Sequence, residues 1–200
     1  MATVKIKDVR IAFTDNLWVA KEFTPGDGRP RRSATFIVEP ESANDKMIRE
    51  EIKKIAATAW GEKAGQMLKK YKDDPAKFCY VFEKANKSGD VFEGFEGMMS
   101  ISANRADKKG PVLVVDRDGR TPIPGNSGKL YAGCYVNATI DLWAQTGQFA
   151  GIRAALSGVQ FVREGDAFAG APPASENDFT DLTDGADAEV GTIDVDSLDF

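Results

Sequence analysis

No lysine or arginine follows Arg163. The thirty-seven residues from Glu164 to Phe200 hold eleven carboxylates and close on Asp199-Phe200. Such a segment has too little apolar surface to offset the entropy lost on ordering, so any core must come from the residues before it. The same division hides a basic body. All 26 Lys+Arg but only 20 of the 31 Asp+Glu lie in residues 1–163, a formal charge of about +6, although the whole chain stands at −5. Charge segregated in this way points to an interaction tail on a body with an anionic partner.

The body is long enough for one domain with a sizeable core. Its opening residues, Met1 to Lys7, carry charges where a signal peptide needs an apolar run, and no stretch approaches 18 apolar residues, so neither leader nor membrane partner is expected. Cys79 and Cys134 are too few for a disulfide scaffold and read as reduced, buried thiols of a cytoplasmic protein. The chain has no histidine. That removes the commonest general base and the commonest zinc ligand, and it disfavours an enzyme.

Hydrophobic periodicity organises the body. Val4 and Ile6, then Val9, Ile11 and Phe13, alternate with a slip between Ile6 and Val9, which predicts a strand with a bulge near Lys7-Asp8. Residues 17–23 read as a second extended stretch, 24–30 as a loop, and 31–38 as a strand with Ala34, Phe36 and Val38 on one side. Ser42 is an N-cap with Asp45 three residues on, and Met47/Ile48, Ile52, Ile55/Ala56 and Ala59/Trp60 recur at helical spacing up to Gly61. A shorter helix covers 64–71. Strands return at 78–83, 91–95, 98–104, 111–116, 130–143 and 148–162. The order predicts a mainly β, α+β chain: an OB-fold-like Greek-key barrel over residues 1–166, and a disordered acidic tail over 167–200.

Two motif look-alikes fail. Gly125-Asn126-Ser127-Gly128-Lys129 lacks P-loop spacing and is followed by Leu130 instead of Ser or Thr. Asp116-Arg117-Asp118-Gly119 begins like a calcium loop, but Ser127 stands where the bidentate Glu belongs, so it reads as a hairpin turn. No cofactor is expected. What remains is aromatic and basic. In the strand after Tyr131, Val136, Ala138, Ile140 and Leu142 face one way, while Tyr135, Asn137, Thr139 and Trp143 face the other with Tyr131. Such a face suits bases, each stacked base contributing about 1–3 kcal/mol. Trp18 and Tyr80 are further stacking candidates, with core positions as the alternative. Arg29, Arg31, Arg32, Arg105, Lys108, Lys109 and Lys129 are candidates for tracking phosphates. At the tip, Asp194, Asp196, Asp199 and Phe200 could set one ring in a partner's pocket with carboxylates on its basic rim.

The segments Tyr131-Ala132-Gly133-Cys134-Tyr135-Val136-Asn137-Ala138 and Gly158-Val159-Gln160-Phe161-Val162-Arg163-Glu164-Gly165-Asp166, with the strands at 4–13 and 99–104, resemble phage-encoded single-stranded-DNA-binding proteins. These have an OB-fold core and an acidic tail, and the likeness spans most of residues 1–166. The terminal Asp199-Phe200 is similar to the Phe-ended tips of single-stranded-DNA-binding proteins more broadly. The resemblance implies a non-catalytic protein of the infected bacterial cytoplasm that coats single-stranded DNA without sequence preference. It implies work in phage DNA replication, recombination and repair, with the tail recruiting phage or host replication and recombination proteins. On the charge argument the tail also competes with DNA. The alternatives are a strand-annealing recombination mediator and a metal-dependent nuclease built on Asp107, Asp116 and Asp118. The resemblance assigns no side chain to DNA.

Overall fold

The structure, a computed structural model, describes residues 1–168. Strand β1 (Ala2–Ala12) turns Val4 and Ile6 inward, then Val9 and Ile11, and its register against a neighbour shifts between Ile6 and Val9. Asp8 takes up the extra residue in the left-handed conformation at φ 49°. Its N–H donates to Asn137 Oδ1 at 3.0 Å and its carboxylate pairs with Arg163. This is the bulge that the phase slip predicted.

The remaining strands are β2 (Arg31–Val38), β3 (Tyr80–Phe82), β4 (Met99–Ala106), β5 (Leu113–Val115), β6 (Tyr135–Gln145) and β7 (Gly151–Arg163). The sheet order is β3-β4-β2-β1-β6-β7-β5, so the chain is mainly β with a helical insert. Strand β1 runs antiparallel to β2 and β6, β2 to β4, and β6 to β7. Strand β4 also meets β7 in parallel at Asn104 and Ala155, so the pairings return to their start. Inside that ring Ile6, Ile11, Phe36, Ile101, Ile140 and Leu142 are fully buried. The seam edge of β7 is filled by three segments: Phe78 bridges to Ile152, Asn104 meets Ala155, and β5 pairs with Gly158 to Gln160. Gly151 permits this approach, because a Cβ there would lie 2.3 Å from the Lys77 carbonyl oxygen.

Helix α1 (Ala43–Trp60) begins where Ser42 Oγ accepts from the Asp45 N–H at 3.2 Å and ends at Gly61, φ 55°. It packs Ile48, Ile52, Ile55 and Ala56 against β1 and β6, and α2 (Ala64–Tyr71) folds back on it. The Asp45 carboxylate is itself buried. It accepts from Tyr80 Oη at 2.6 Å, Arg49 Nε at 2.6 Å and the Glu41 N–H at 2.9 Å. Burial pushes its pKa up, but these hydrogen bonds and the Arg49 charge outweigh burial, and the net shift is downward.

Three expectations are corrected. Residues 17–23 form no strand: Thr14–Asn16 is a 3-10 turn, Leu17 drops into the core, and only Lys21 bridges to Arg31. Residues 91–95 make one bridge, Val91 to Ala85, because Phe95 is drawn into a separate small cluster with Ala12 and Ile37. Strand β6 starts at Tyr135, not 130, since Gly133 and Cys134 exchange backbone hydrogen bonds with Ile11 outside the β6 ladder. The segment expected to be disordered, with Asp194, Asp196, Asp199 and Phe200 in it, lies outside the described residues, Ala167 and Phe168 apart. Among the described residues no helix is long and apolar enough to cross a membrane.

Replacing Asp45 by Ala strands the Tyr80 hydroxyl in the core and should cost about 1–3 kcal/mol, read as a lower urea midpoint. Because the folded pKa is depressed, this contribution is present above the ordinary carboxylate range and is lost as pH falls through the folded value. The gap between wild type and Asp45→Ala should therefore close on acidification.

Candidate nucleic-acid interface

Alternation along β2 turns Ala34, Phe36 and Val38 inward and Arg31, Ser33 and Thr35 outward. On the neighbouring strand, Ser102 stands opposite Thr35 and Asn104 opposite Ser33. Thr35 Oγ1 and Ser102 Oγ share a hydrogen bond of 3.0 Å. This polar ladder floors a cleft of about 310 Å³, walled by Phe13, Phe23, Phe92, Asn16 and Lys84.

Phe13 follows the last residue of β1 and holds φ 56°, ψ 50°, a left-handed conformation rare for a bulky side chain. That turn takes its ring off the inner face that Val9 and Ile11 occupy and leaves it 39% exposed. Phe92 braces it edge-on at 5.1 Å and Phe95 lies tilted at 5.9 Å. Lys84 Nζ donates to Ser102 Oγ at 2.9 Å and stands 5.9 Å from the centre of the Phe13 ring. Burial lowers its pKa, since the charged form has lost water. Paired backbone hydrogen bonds between Lys21 and Arg31 bring the β1–β2 connection back to the cleft, where the Arg31 guanidinium lies 5.4 Å from the Phe23 ring. The buried Asn16 Oδ1 has no hydrogen-bond partner among the described residues. Exposed rings, cations and a polar floor together match a ligand with flat aromatic groups on an anionic backbone.

The residues singled out from sequence divide. Arg31 belongs to the cleft side of β2, and Arg29, Lys108 and Lys109 are exposed in flanking loops. Arg32 and Arg105 are opposite each other in the ladder but serve the loops. Arg32 donates to the Trp18 carbonyl and pairs with Asp107; Arg105 donates to the carbonyls of Lys109 and Gly110. Lys129 pairs with Asp116. Trp18 is half-buried, with Nε1 donating to the Ile123 carbonyl at 3.2 Å and its ring against Gly125.

Tyr80 is corrected outright. It is 2% exposed, locked to Asp45 beneath α1, and has no ring face to offer. Tyr135 and Trp143 do occupy the outer face of β6, but neither they nor Tyr131 lines the cleft. The Arg163 guanidinium lies 3.3 Å from the Tyr135 ring centre, and Trp143 stands across from Arg153. The three acidic candidates do not converge. Asp107 meets Arg32, Asp116 meets Lys129, and Asp118 accepts from Thr121 and the N–H groups of Arg120 and Thr121, which hold its pKa down to about 2. Among the described residues no group of three or more Cys, Asp or Glu is placed to hold a metal.

Phe13, Phe23, Phe92 and Lys84 were not singled out. Phe13 reads in sequence as one more inward residue, and its reversal depends on a single backbone conformation. Phe23 had a visible signal: an aromatic at the edge of a Pro/Gly loop with three arginines behind it.

The start of the acidic segment also reaches this region. Tyr131 Oη donates to the Gly165 carbonyl at 2.8 Å, and the Phe168 N–H donates to the Ala132 carbonyl at 3.0 Å. The Phe168 ring lies 4.0 Å from the Arg10 guanidinium and 6.4 Å from Phe95, which in turn touches Phe13.

Residues 2–190 match the family described as Enterobacter phage Enc34, ssDNA-binding protein. Protein p50 of Acyrthosiphon pisum secondary endosymbiont phage 1 is 32% identical over 192 residues, covering 94% of this chain and 97% of that one. The single-stranded-DNA-binding protein of bacteriophage Enc34, solved in complex with ssDNA, superposes with a TM-score of 0.65 at 21% identity, over 84% of this chain and 89% of that one. The single-stranded-DNA-binding protein encoded by bacteriophage T7 gives 0.51 at 15% identity, over 94% and 96%.

Burial makes Lys84 a weaker base than an exposed lysine, so the unfolded chain binds more protons between the two pKa values. Stability should rise with pH through that window. An NMR titration of the lysine Cε signals should find Lys84 losing its proton first.

Proposed function

The chain belongs to the family of phage single-stranded-DNA-binding proteins represented by that of Enterobacter phage Enc34, and we propose that it coats single-stranded DNA without sequence preference. The setting is the cytoplasm of an infected bacterium, in phage DNA replication, recombination and repair, and the protein is not an enzyme. We read the five-strand ring as an OB-fold barrel. Three antiparallel strands, β1-β2-β4, followed by β6 and β7 with a parallel β4–β7 contact, support this reading. On it, residues 1–166 are the DNA-binding body and 167–200 an appended tail.

The observation that carries the reading is the cleft over β2 and β4, where Phe13 is turned outward beside Lys84 and Arg31. Bases stack on Phe13 and Phe23, whose π-faces serve any base alike. Lys84 and Arg31 meet the backbone as it crosses, and Arg29, Lys108 and Lys109 extend the basic track. Asn16 offers a free acceptor to a base edge. Tyr135 and Trp143, half-buried on the outer face of β6, form a second surface that a longer strand could follow if Arg163 moves off the Tyr135 ring, with Lys129 released from Asp116 as its cation. Trp18, Tyr131, Arg32 and Arg105 act by holding loops in place. The tail carries the chain's surplus of carboxylates and competes with DNA for these cations, while Asp194, Asp196, Asp199 and Phe200 recruit replication proteins.

Fluorescence anisotropy with a labelled homopolymer tests the cleft. Phe13→Ala should weaken binding by about 1–3 kcal/mol, roughly 5- to 150-fold, as expected for one lost stacking platform. Lys84→Gln should flatten the dependence of log K on log salt by about 0.7 if one phosphate contact is lost. Equal affinity for duplex and single strand would sink the reading.

Truncation after Phe168 should tighten binding, most at low salt, where charges are least screened. An unchanged low-salt affinity would remove tail competition while leaving the cleft assignment intact.

A further inference from the structure

A second cleft, of about 500 Å³, opens between α1, α2 and β3, and it shares no lining residue with the one over β2 and β4. Its floor is apolar. Leu68 and Phe82 line it, and Phe82 leaves 56% of its surface in solvent at the end of the sheet. Its rim is basic: Arg49, Lys53, Lys69 and Lys72 surround it, Arg49 being held by Asp45 and Lys72 standing 3.7 Å from Asp73, while Lys53 and Lys69 are exposed. An apolar trough ringed by cations is complementary to an acidic segment with interspersed apolar side chains. DNA stacking has no evident place here, because the floor is aliphatic as much as aromatic.

The chain supplies such a segment. We propose that residues 193–200 dock in this groove of their own chain, with Phe200 and Leu198 on the apolar floor and Asp194, Asp196 and Asp199 on the rim cations Lys53, Lys69 and Lys72. Ile193-Asp194-Val195-Asp196-Ser197-Leu198-Asp199-Phe200 sets apolar residues between acids and carries no cation; residues 178–184 mix acids with Phe179 and Leu182 as well, but with the acids three apart and fewer apolar side chains. Reach is sufficient. Twenty-four residues separate Phe168 from Ile193, and a flexible linker of that length has an r.m.s. span of about 25–29 Å. A body of this size has a radius of gyration of about 15 Å. Docking there leaves Phe13 and Lys84 outside the residues that line the groove. Competition with DNA then falls to the carboxylates between 176 and 189, and a partner that captures the tip must first displace it from the α1–α2 groove.

A nitroxide attached at Ser197→Cys in the full chain tests this. Cys79 and Cys134 are first changed to Ala, since Cys79 is only partly buried and a free thiol there would take up label. Amide signals of Lys53 and Lys69 should broaden at least twofold more than those of Phe13 and Phe23. The effect should vanish in a Lys53→Glu/Lys69→Glu variant, both sites being exposed and outside the core. Broadening centred on Phe13 and Phe23, spread evenly over the body, or unchanged by charge reversal overturns the proposal. So does broadening that fades on dilution, which would place the tip on a second copy. No DNA enters the measurement, so it stands or falls apart from the DNA reading.

Discussion

The pairing along the seam edge of β7 holds the architecture together. A twisted sheet that curls back on itself must satisfy the hydrogen bonds of its two meeting edges, and here the β4–β7 ladder consists of one residue pair. The gap on one side is closed by the chain leading into β3, with the Cys79 N–H donating to the Ile152 carbonyl at 3.1 Å and the Ile152 N–H to the Lys77 carbonyl at 2.8 Å. On the other side it is closed by β5 against Gly158 to Gln160. Glycine is required at the first place and fits closely at the second. A Cβ at Gly151 would strike the Lys77 carbonyl, and one at Gly158 would come within 3.3 Å of the Leu113 carbonyl. With the seam closed, the outer face of β2 and β4 becomes a firm floor instead of a loose edge.

The cleft then follows from two left-handed residues in and after β1. Asp8 absorbs one residue so that both halves of the strand can face the core, and Phe13 reverses the chain so that the next aromatic cannot. Neither is a glycine, so each conformation costs on the order of 1–3 kcal/mol that the surroundings must offset. For Asp8 those surroundings are Asn137 and Arg163; for Phe13 they are the rings of Phe92 and Phe95. Strain at an exposed aromatic, set beside a partly desolvated lysine, is an arrangement more readily explained by a ligand than by packing.

Much of this was legible because it is local. The bulge showed as a phase slip, the cap as Ser42 with Asp45, the helices as spacing, and the two faces of β6 as alternation. The family resemblance, carried by residues 131–138 and 158–166, agrees with the family that matches residues 2–190. What stayed hidden depends on distant partners. Tyr80 is removed from the surface by Asp45, thirty-five positions earlier. Arg32 is engaged by Asp107 and Lys129 by Asp116, so a count of cations in loops overstated those free for phosphate. Phe13 belonged to a correct inward pattern that one backbone angle cancelled.

The ends of the sheet carry a consequence of a different kind. Beyond β5, the Val115–Pro122 bridge covers the edge; at the other end, β3 exposes an edge only three residues long. Sheets with long bare edges template the addition of strands from neighbouring molecules. Edges this short keep neighbouring copies from knitting into a continuous sheet.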